Sequence, residues 1–316
     1  MIRNMRIKLF AVALIGGLAA RAAWGQEPRP GLDRLARALA EAQIKKSLRS
    51  INRPFEPFRV IGNIYYVGAS DVSSFLITTP KGHLLLDSGF AETVPLIREG
   101  VRTLGFRFED IQLLLNSHAH VDHAGGHALV KRLTGARIVM SEADANLLAR
   151  GGKGDFLPVG DDVVSYEPAQ ADRIVRDLDQ VTLGGVTLTA HLTPGHTKGC
   201  TTWTMLVETD GRRYEVVFIG GTTLLPGIRL VANPKYPGIA DDFAQTFRVL
   251  RALPCDIFLA PHGFHFGLEP KAQKHRAGVM PNPFIDPEGY RAFVDRSERV
   301  YLQQLGREQG RTSLLP

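Results

Sequence analysis

Apolar residues recur along this chain with two different periods, and the changes of period divide it into elements. Over residues 31–48 the apolar positions follow helical spacing among many charges, which predicts an amphipathic helix closed by the proline-containing stretch 54–57. Residues 58–67, 73–78 and 83–87 are rich in β-branched, aromatic and leucine residues and are broken by Gly and Pro turns, so they read as strands. A helical pattern covers 93–104. Residues 111–115 form a short continuous apolar run, the mark of a strand buried on both faces. A helix is expected over 124–133, a strand over 137–140, and a helix over 141–150 with Ser141 as its cap and Asp144 three residues on.

Residues 151–172, rich in Gly, Asp and Pro, predict an irregular surface excursion. Further strands are expected at 186–191, 201–207 and 214–219. A helix over 241–253, a buried strand over 256–260 and a closing helix over 290–305 complete the chain. Two rounds of strands followed by helices predict an α/β fold: a four-layer αββα sandwich of two mixed sheets face to face, with helices outside.

The first 25 residues break the pattern. They contain Arg3, Arg6, Lys8 and Arg21, no acid, an apolar run over 9–20 and a small-residue ending Ala23-Trp24-Gly25. This predicts a secretory signal peptide cleaved before Gln26, because about 12 apolar residues fall short of the roughly 20 that cross a bilayer. Residues 26–316 would then be a single periplasmic domain with an N-terminal helical extension and no stable membrane association. Losing four basic residues takes the formal charge from +6 to +2. That leaves no basic excess to hold nucleic acid. The composition, 44% hydrophobic and 22% charged, is that of an ordinary globular protein. Two cysteines, Cys200 and Cys255, make no disulfide framework, and Cys200 reads as a buried structural thiol.

The chemistry concentrates in His118-Ala119-His120-Val121-Asp122-His123, four potential metal ligands in six residues. Alternate side chains of an extended segment share a direction, so His118 and His120 can converge on one ion. Asp122 and His123 fall where the chain turns into the next element and can face a second ion. A catalytic zinc takes three protein ligands and keeps a position for water, so each site still needs a partner. His196, in Thr193-Pro194-Gly195-His196-Thr197, and His262, in Ala260-Pro261-His262-Gly263, both follow predicted strands directly. His262 is preferred over His265 because it directly ends its strand. Asp87 ends a buried strand at the same edge and could orient a ligand imidazole. His83, His191 and His275 read as ordinary histidines; His127, one helical turn after His123, could support it from behind.

These motifs resemble the metallo-β-lactamase superfamily over residues 58–267. Within it, residues 193–203 (TPGHTKGCTTW), 233–238 (NPKYPG) and 262–266 (HGFHF) resemble the third subclass of class B β-lactamases. The resemblance implies two zinc ions per subunit, one held by His118, His120 and His196 and the other by Asp122, His123 and His262. It also implies a monomeric antibiotic-resistance enzyme in which zinc-bound hydroxide opens the lactam of penicillins, cephalosporins and carbapenems. In that reading Asp122, His118, His120 and His196 serve catalysis, and Thr222 and Thr223 bind the substrate carboxylate.

Related lactonases and thioesterases place a bridging Asp after the strand that ends near Ile219, and first-subclass β-lactamases place a Cys there. This chain has Gly220-Gly221-Thr222-Thr223. Thr222, Leu224 and Lys198 depart from the residues usual in the third subclass. The alternatives are another hydrolase of the same fold, or a zinc-binding protein with negligible turnover.

Overall fold

A computed structural model describes residue 46 and residues 50–310 of the chain. The expected signal peptide and nearly all of the expected 31–48 helix lie outside the described residues.

The first sheet has seven strands in sequential order: β1 (Phe58–Ile61), β2 (Ile64–Tyr66), β3 (Phe75–Thr79), β4 (Gly82–Leu86), β5 (Ile111–Leu115), β6 (Arg137–Ser141) and β7 (Arg173–Val175). Its first four strands form an antiparallel meander, and β4 through β7 run parallel. The second sheet has the order β12-β11-β10-β9-β8, from β8 (Gln180–Leu183), β9 (Val186–Leu192), β10 (Thr201–Thr209), β11 (Arg212–Phe218) and β12 (Ile257–Leu259). Its pairs are antiparallel except β11 with β12. Both sheets are mixed, as the sequence pattern predicts.

Side-chain alternation sets the layers. In β4 and β5, Leu84, Leu86, Leu113 and Leu115 face the second sheet and join Trp203, Met205, Val216 and Phe218 in the central core. Leu85 and Leu114 face the opposite way, against Ile97 and Val101 of α1 (Val94–Thr103) and Val130 of α3 (His127–Thr134). Over Leu84–Leu86 and Leu113–Leu115 both faces are therefore buried, which is why these stretches read as apolar runs, while Gln112 near the start of β5 is exposed. On the far side, Phe243, Phe247 and Leu250 of α6 (Ile239–Ala252) and Phe293, Val294 and Tyr301 of α9 (Pro287–Glu308) cover the second sheet. The result is the αββα sandwich. Among the described residues no helix is long and apolar enough to cross a membrane.

Several boundaries differ from the sequence reading. The 58–67 run is two strands, because the chain reverses at Gly62-Asn63 and pairs Ile61 with Ile64. The 124–133 helix is two pieces, α2 (Val121–Ala124) and α3, since the Gly126 amide turns aside to the Gly89 carbonyl at 2.9 Å. The 151–172 excursion contains only the short α5 (Asp161–Val164). Strands β7 and β8, and the short helices α7 (Gly263–Phe266) and α8 (Leu268–Arg276), carry no period long enough to predict them.

The largest correction concerns α4 (Glu142–Ala149). Ser141 stands at the cap position but its side chain makes no capping bond. Its hydroxyl donates instead to the Gly199 carbonyl, and the Asp144 carboxylate is likewise turned away from the helix end.

Candidate metal centre

Strands β2, β4, β5, β9, β11 and β12 run in matching directions within their sheets, β4 with β5 and β11 with β12 by parallel pairing and β2 and β9 by antiparallel alternation, so their carboxyl ends lie along one edge of the sandwich. The β5 loop carries His118 and His120 and passes into α2 with Asp122 and His123. The β9 loop carries His196, the β12 loop His262, and the turn after β4 carries Asp87. Inter-sheet bonds hold these loops in place: the Thr201 amide donates to the Ser117 carbonyl at 2.8 Å and the Trp203 indole to the Asn116 carbonyl at 2.9 Å. All six residues singled out as ligands converge there.

The rings of His118, His120 and His196 stand 4.6–4.9 Å apart, centre to centre. One ligand atom from each lies within 4.8 Å of the other two. Beside them, His123 Nε2 faces His262 Nε2 at 3.4 Å, and Asp122 Oδ2 lies 3.4 Å from the first and 3.5 Å from the second. His118 borders both groups, with its ring 4.2 Å from that of His123. Zinc bonds its imidazole ligands at about 2.0–2.1 Å in a tetrahedron, so neighbouring ligand atoms of one ion lie about 3.4 Å apart. The Asp122–His123–His262 set already has that spacing, and nitrogen and carboxylate oxygen are donors zinc accepts. The residues present fit the metal.

Each imidazole is engaged on the side facing away from its neighbours. His196 Nδ1 donates to the Thr223 carbonyl at 2.6 Å, which leaves Nε2 for an ion. His120 Nε2 meets Asp155 Oδ2 at 3.2 Å, leaving Nδ1. Ser117 donates its hydroxyl to Asp87 Oδ2 at 2.6 Å and so accepts from His118 Nδ1 at 3.1 Å. Asp87 Oδ2 also lies 3.5 Å from His123 Nδ1, and Asp71 Oδ2 lies 3.3 Å from His262 Nδ1. Carboxylates and carbonyls placed this way fix ring orientation and raise ligand basicity. Asp87 thus serves two rings, one directly and one through Ser117, and adopts φ +61° to do so.

Asp71, Ser117 and Asp155 did not emerge from sequence. Asp71 sits in the β2–β3 loop, and Asp155 sits in the Gly-rich excursion, far in sequence from the rings they touch.

Electrostatics follow from burial and crowding. Burial, then the neighbouring imidazoles, hold His118 well below its ordinary range, and burial with His120 lowers His196 to about 3. Both are therefore neutral, the form that binds metal. Burial opposes protonation of His123, but Asp122 and Asp87 outweigh it and raise the group to about 10. Burial likewise opposes ionisation of Asp122, which His123 and His262 nonetheless hold far below the usual carboxylate range.

Thr222 is buried beside the centre; Thr223 is exposed, and its observed contribution is the carbonyl that orients His196. Leu224 and Thr223 line an open depression with Phe156, Ile228 and His196. Lys198 points away to the Lys235 carbonyl at 2.9 Å and over the Tyr236 ring. Cys200 is buried and free, and it accepts from the Gly221 amide at 2.7 Å. His127 is also buried, bonded to Ser88 rather than to a ligand ring.

Two sheets meeting at a histidine–aspartate cluster form a candidate metal centre at one edge of a layered α/β fold. The chain belongs to the metallo-beta-lactamase superfamily, whose family model matches residues 67–262. It is similar to the native FEZ-1 metallo-beta-lactamase from Legionella gormanii, with 41% identity over 82% of this chain and 98% of that one and a TM-score of 0.80. It is also similar to BJP-1, a subclass B3 metallo-beta-lactamase of Bradyrhizobium japonicum, with 38% identity over 84% and 98% of the two chains and a TM-score of 0.78. Among curated sequences it matches a hydroxyacylglutathione hydrolase from Anaeromyxobacter dehalogenans, 28% identical over 58% of this chain and 73% of that protein. The chain spans about half the length of another curated relative, a probable metallo-hydrolase of Burkholderia pseudomallei.

Proposed function

We propose that the protein is a β-lactamase that hydrolyses the lactam amide with two zinc ions, one on His118, His120 and His196 and the other on Asp122, His123 and His262. The observation that carries this reading is the contact of Gly221 with His196. A Cβ on Gly221 would stand 2.1 Å from His196 Cδ2. No carboxylate or thiolate side chain fits at that point while His196 keeps its place, and this is the segment where lactonases, thioesterases and first-subclass enzymes carry a ligand. Similarity to the FEZ-1 metallo-beta-lactamase and to the subclass B3 enzyme BJP-1 over nearly their whole length supports the same choice.

Zinc bound there supplies a Lewis acid and lowers the pKa of water from 15.7 to about 7. The chain's own residues present the donors in fixed directions. Asp122 offers Oδ2 between His123 and His262, while Ser117, Asp155 and Thr223 hydrogen-bond the rings of His118, His120 and His196, and Asp87 and Asp71 lie beside those of His123 and His262. Thr222 and the exposed Thr223 would receive the substrate carboxylate. The leader-like segment 1–25 would carry the enzyme to the periplasm, where β-lactams act.

The hydroxyacylglutathione hydrolase relative motivates a second reading, thioester hydrolysis at the same centre. The purified protein, loaded with zinc, is assayed on a penicillin, a cephalosporin, a carbapenem and S-lactoylglutathione, with and without EDTA. EDTA-sensitive turnover of the lactams is expected. Turnover of the thioester alone, or of none of the four, would overturn the proposal.

A further inference from the structure

The carboxylate of Asp144 is 1% exposed and lies behind the centre, on none of the rings. Three donors converge on it from two different loops. The Ala119 amide, between His118 and His120, donates to Oδ2 at 2.9 Å. The Thr197 hydroxyl, next to His196, donates to Oδ2 at 3.0 Å, and the Gly199 amide donates to Oδ1 at 3.0 Å. Ser141, three residues earlier, adds its own bond to the Gly199 carbonyl. The loop of the first sheet and the loop of the second therefore meet on one side chain, carried by a helix that supplies no ligand.

That arrangement is costly unless something requires it. An Asp three residues into a helix is placed to cap it, and here the cap is given up. A buried carboxylate keeps its charge only against such donors, and two of these are backbone amides, which cannot rotate away.

We propose that Asp144 is a positioning residue that fixes the separation of the His118–His120 loop from the His196 loop and so sets the affinity of the ion these three histidines hold. This rests on the ligand assignment proposed above. His123 and His262 have other carboxylates beside them, Asp87 and Asp71, so the effect of Asp144 falls on the ion of His118, His120 and His196.

The test isolates each site. Zinc affinity is measured by chelator competition in a His262→Ala background, which keeps the His118–His120–His196 set, and in a His196→Ala background, which keeps the other. Adding Asp144→Asn should weaken binding about 10–100-fold in the first background, the usual effect of removing such a support, and leave the second unchanged. Thr197→Val, which removes one donor and no carboxylate, should shift the first background in the same direction by less.

Equal affinity with and without Asp144→Asn in the first background would overturn the proposal alone. Equal weakening in both backgrounds would also overturn it, by making Asp144 a general support of the fold. Parent proteins that bind no zinc in either background would overturn the ligand assignment itself.

Discussion

Gly221 lies so close to the ring of His196 that a Cβ would stand 2.1 Å from Cδ2. On the other side of that ring the Thr223 carbonyl accepts from Nδ1 at 2.6 Å. His196 is held by its neighbours' backbone on two sides, and the Cys200 thiol in turn accepts from the Gly221 amide.

Gly221→Ala should therefore displace His196 rather than be absorbed. We expect a loss of about 10–100-fold in zinc affinity or turnover, with the larger Gly221→Asp no better despite adding a potential ligand. Zinc content and lactam hydrolysis read both. Wild-type activity in Gly221→Ala would refute the steric account.

His262 and His265 separate cleanly by position. His262 Nε2 faces Asp122 and His123, while the His265 ring packs edge-on against Phe264 and tilted against Phe293. Native mass spectrometry should find two zincs in the wild type and in His265→Ala, and one in His262→Ala. Loss of an ion from His265→Ala would reverse the assignment.

Trp203 is completely buried, and its indole bonds the Asn116 carbonyl two residues before His118. Trp203→Phe keeps most of the ring but strands that carbonyl, at a cost of about 1–3 kcal/mol. Urea unfolding of the two proteins measures the difference. A change within the error of the measurement would mean the carbonyl finds another partner.

Asp286 caps α9 through the Gly289 amide at 2.9 Å and pairs with Lys271 at 2.7 Å. Burial opposes its ionisation, but Lys271 and the Gly289 amide outweigh it and hold the group below its ordinary range. A carboxyl lowered in the folded state contributes stability above its unfolded pKa, near 4, and loses that contribution as pH falls through the folded value. Asp286→Asn retains the cap, so the difference from wild type should be about 1 kcal/mol or less at pH 7, begin to shrink near pH 4 and vanish only once pH has fallen through the lowered folded value. Unfolding free energies at several pH values test this, and a difference that does not change with pH would rule it out.

Sequence alone determined the layers and the ligand candidates, because both are written in short-range pattern. The apolar runs of β4 and β5 announce strands covered on both faces, and four donors in six residues leave few other uses. His196 and His262 were legible because each directly follows a strand in a layered fold whose loops share an edge. Tertiary structure decided what stands behind them. Asp71 and Asp155 acquire their partners, and Ser117 its Asp87 contact, only when loops from distant parts of the chain meet. Thr223 contributes a carbonyl that no sequence pattern reports. Ser141 and Asp144 match a capping pattern locally, yet their side chains are drawn to the β9 loop and the His118–His120 loop packed against them. Local spacing fixes which way a side chain can point; the packing of the sheets and loops determines what it finds there.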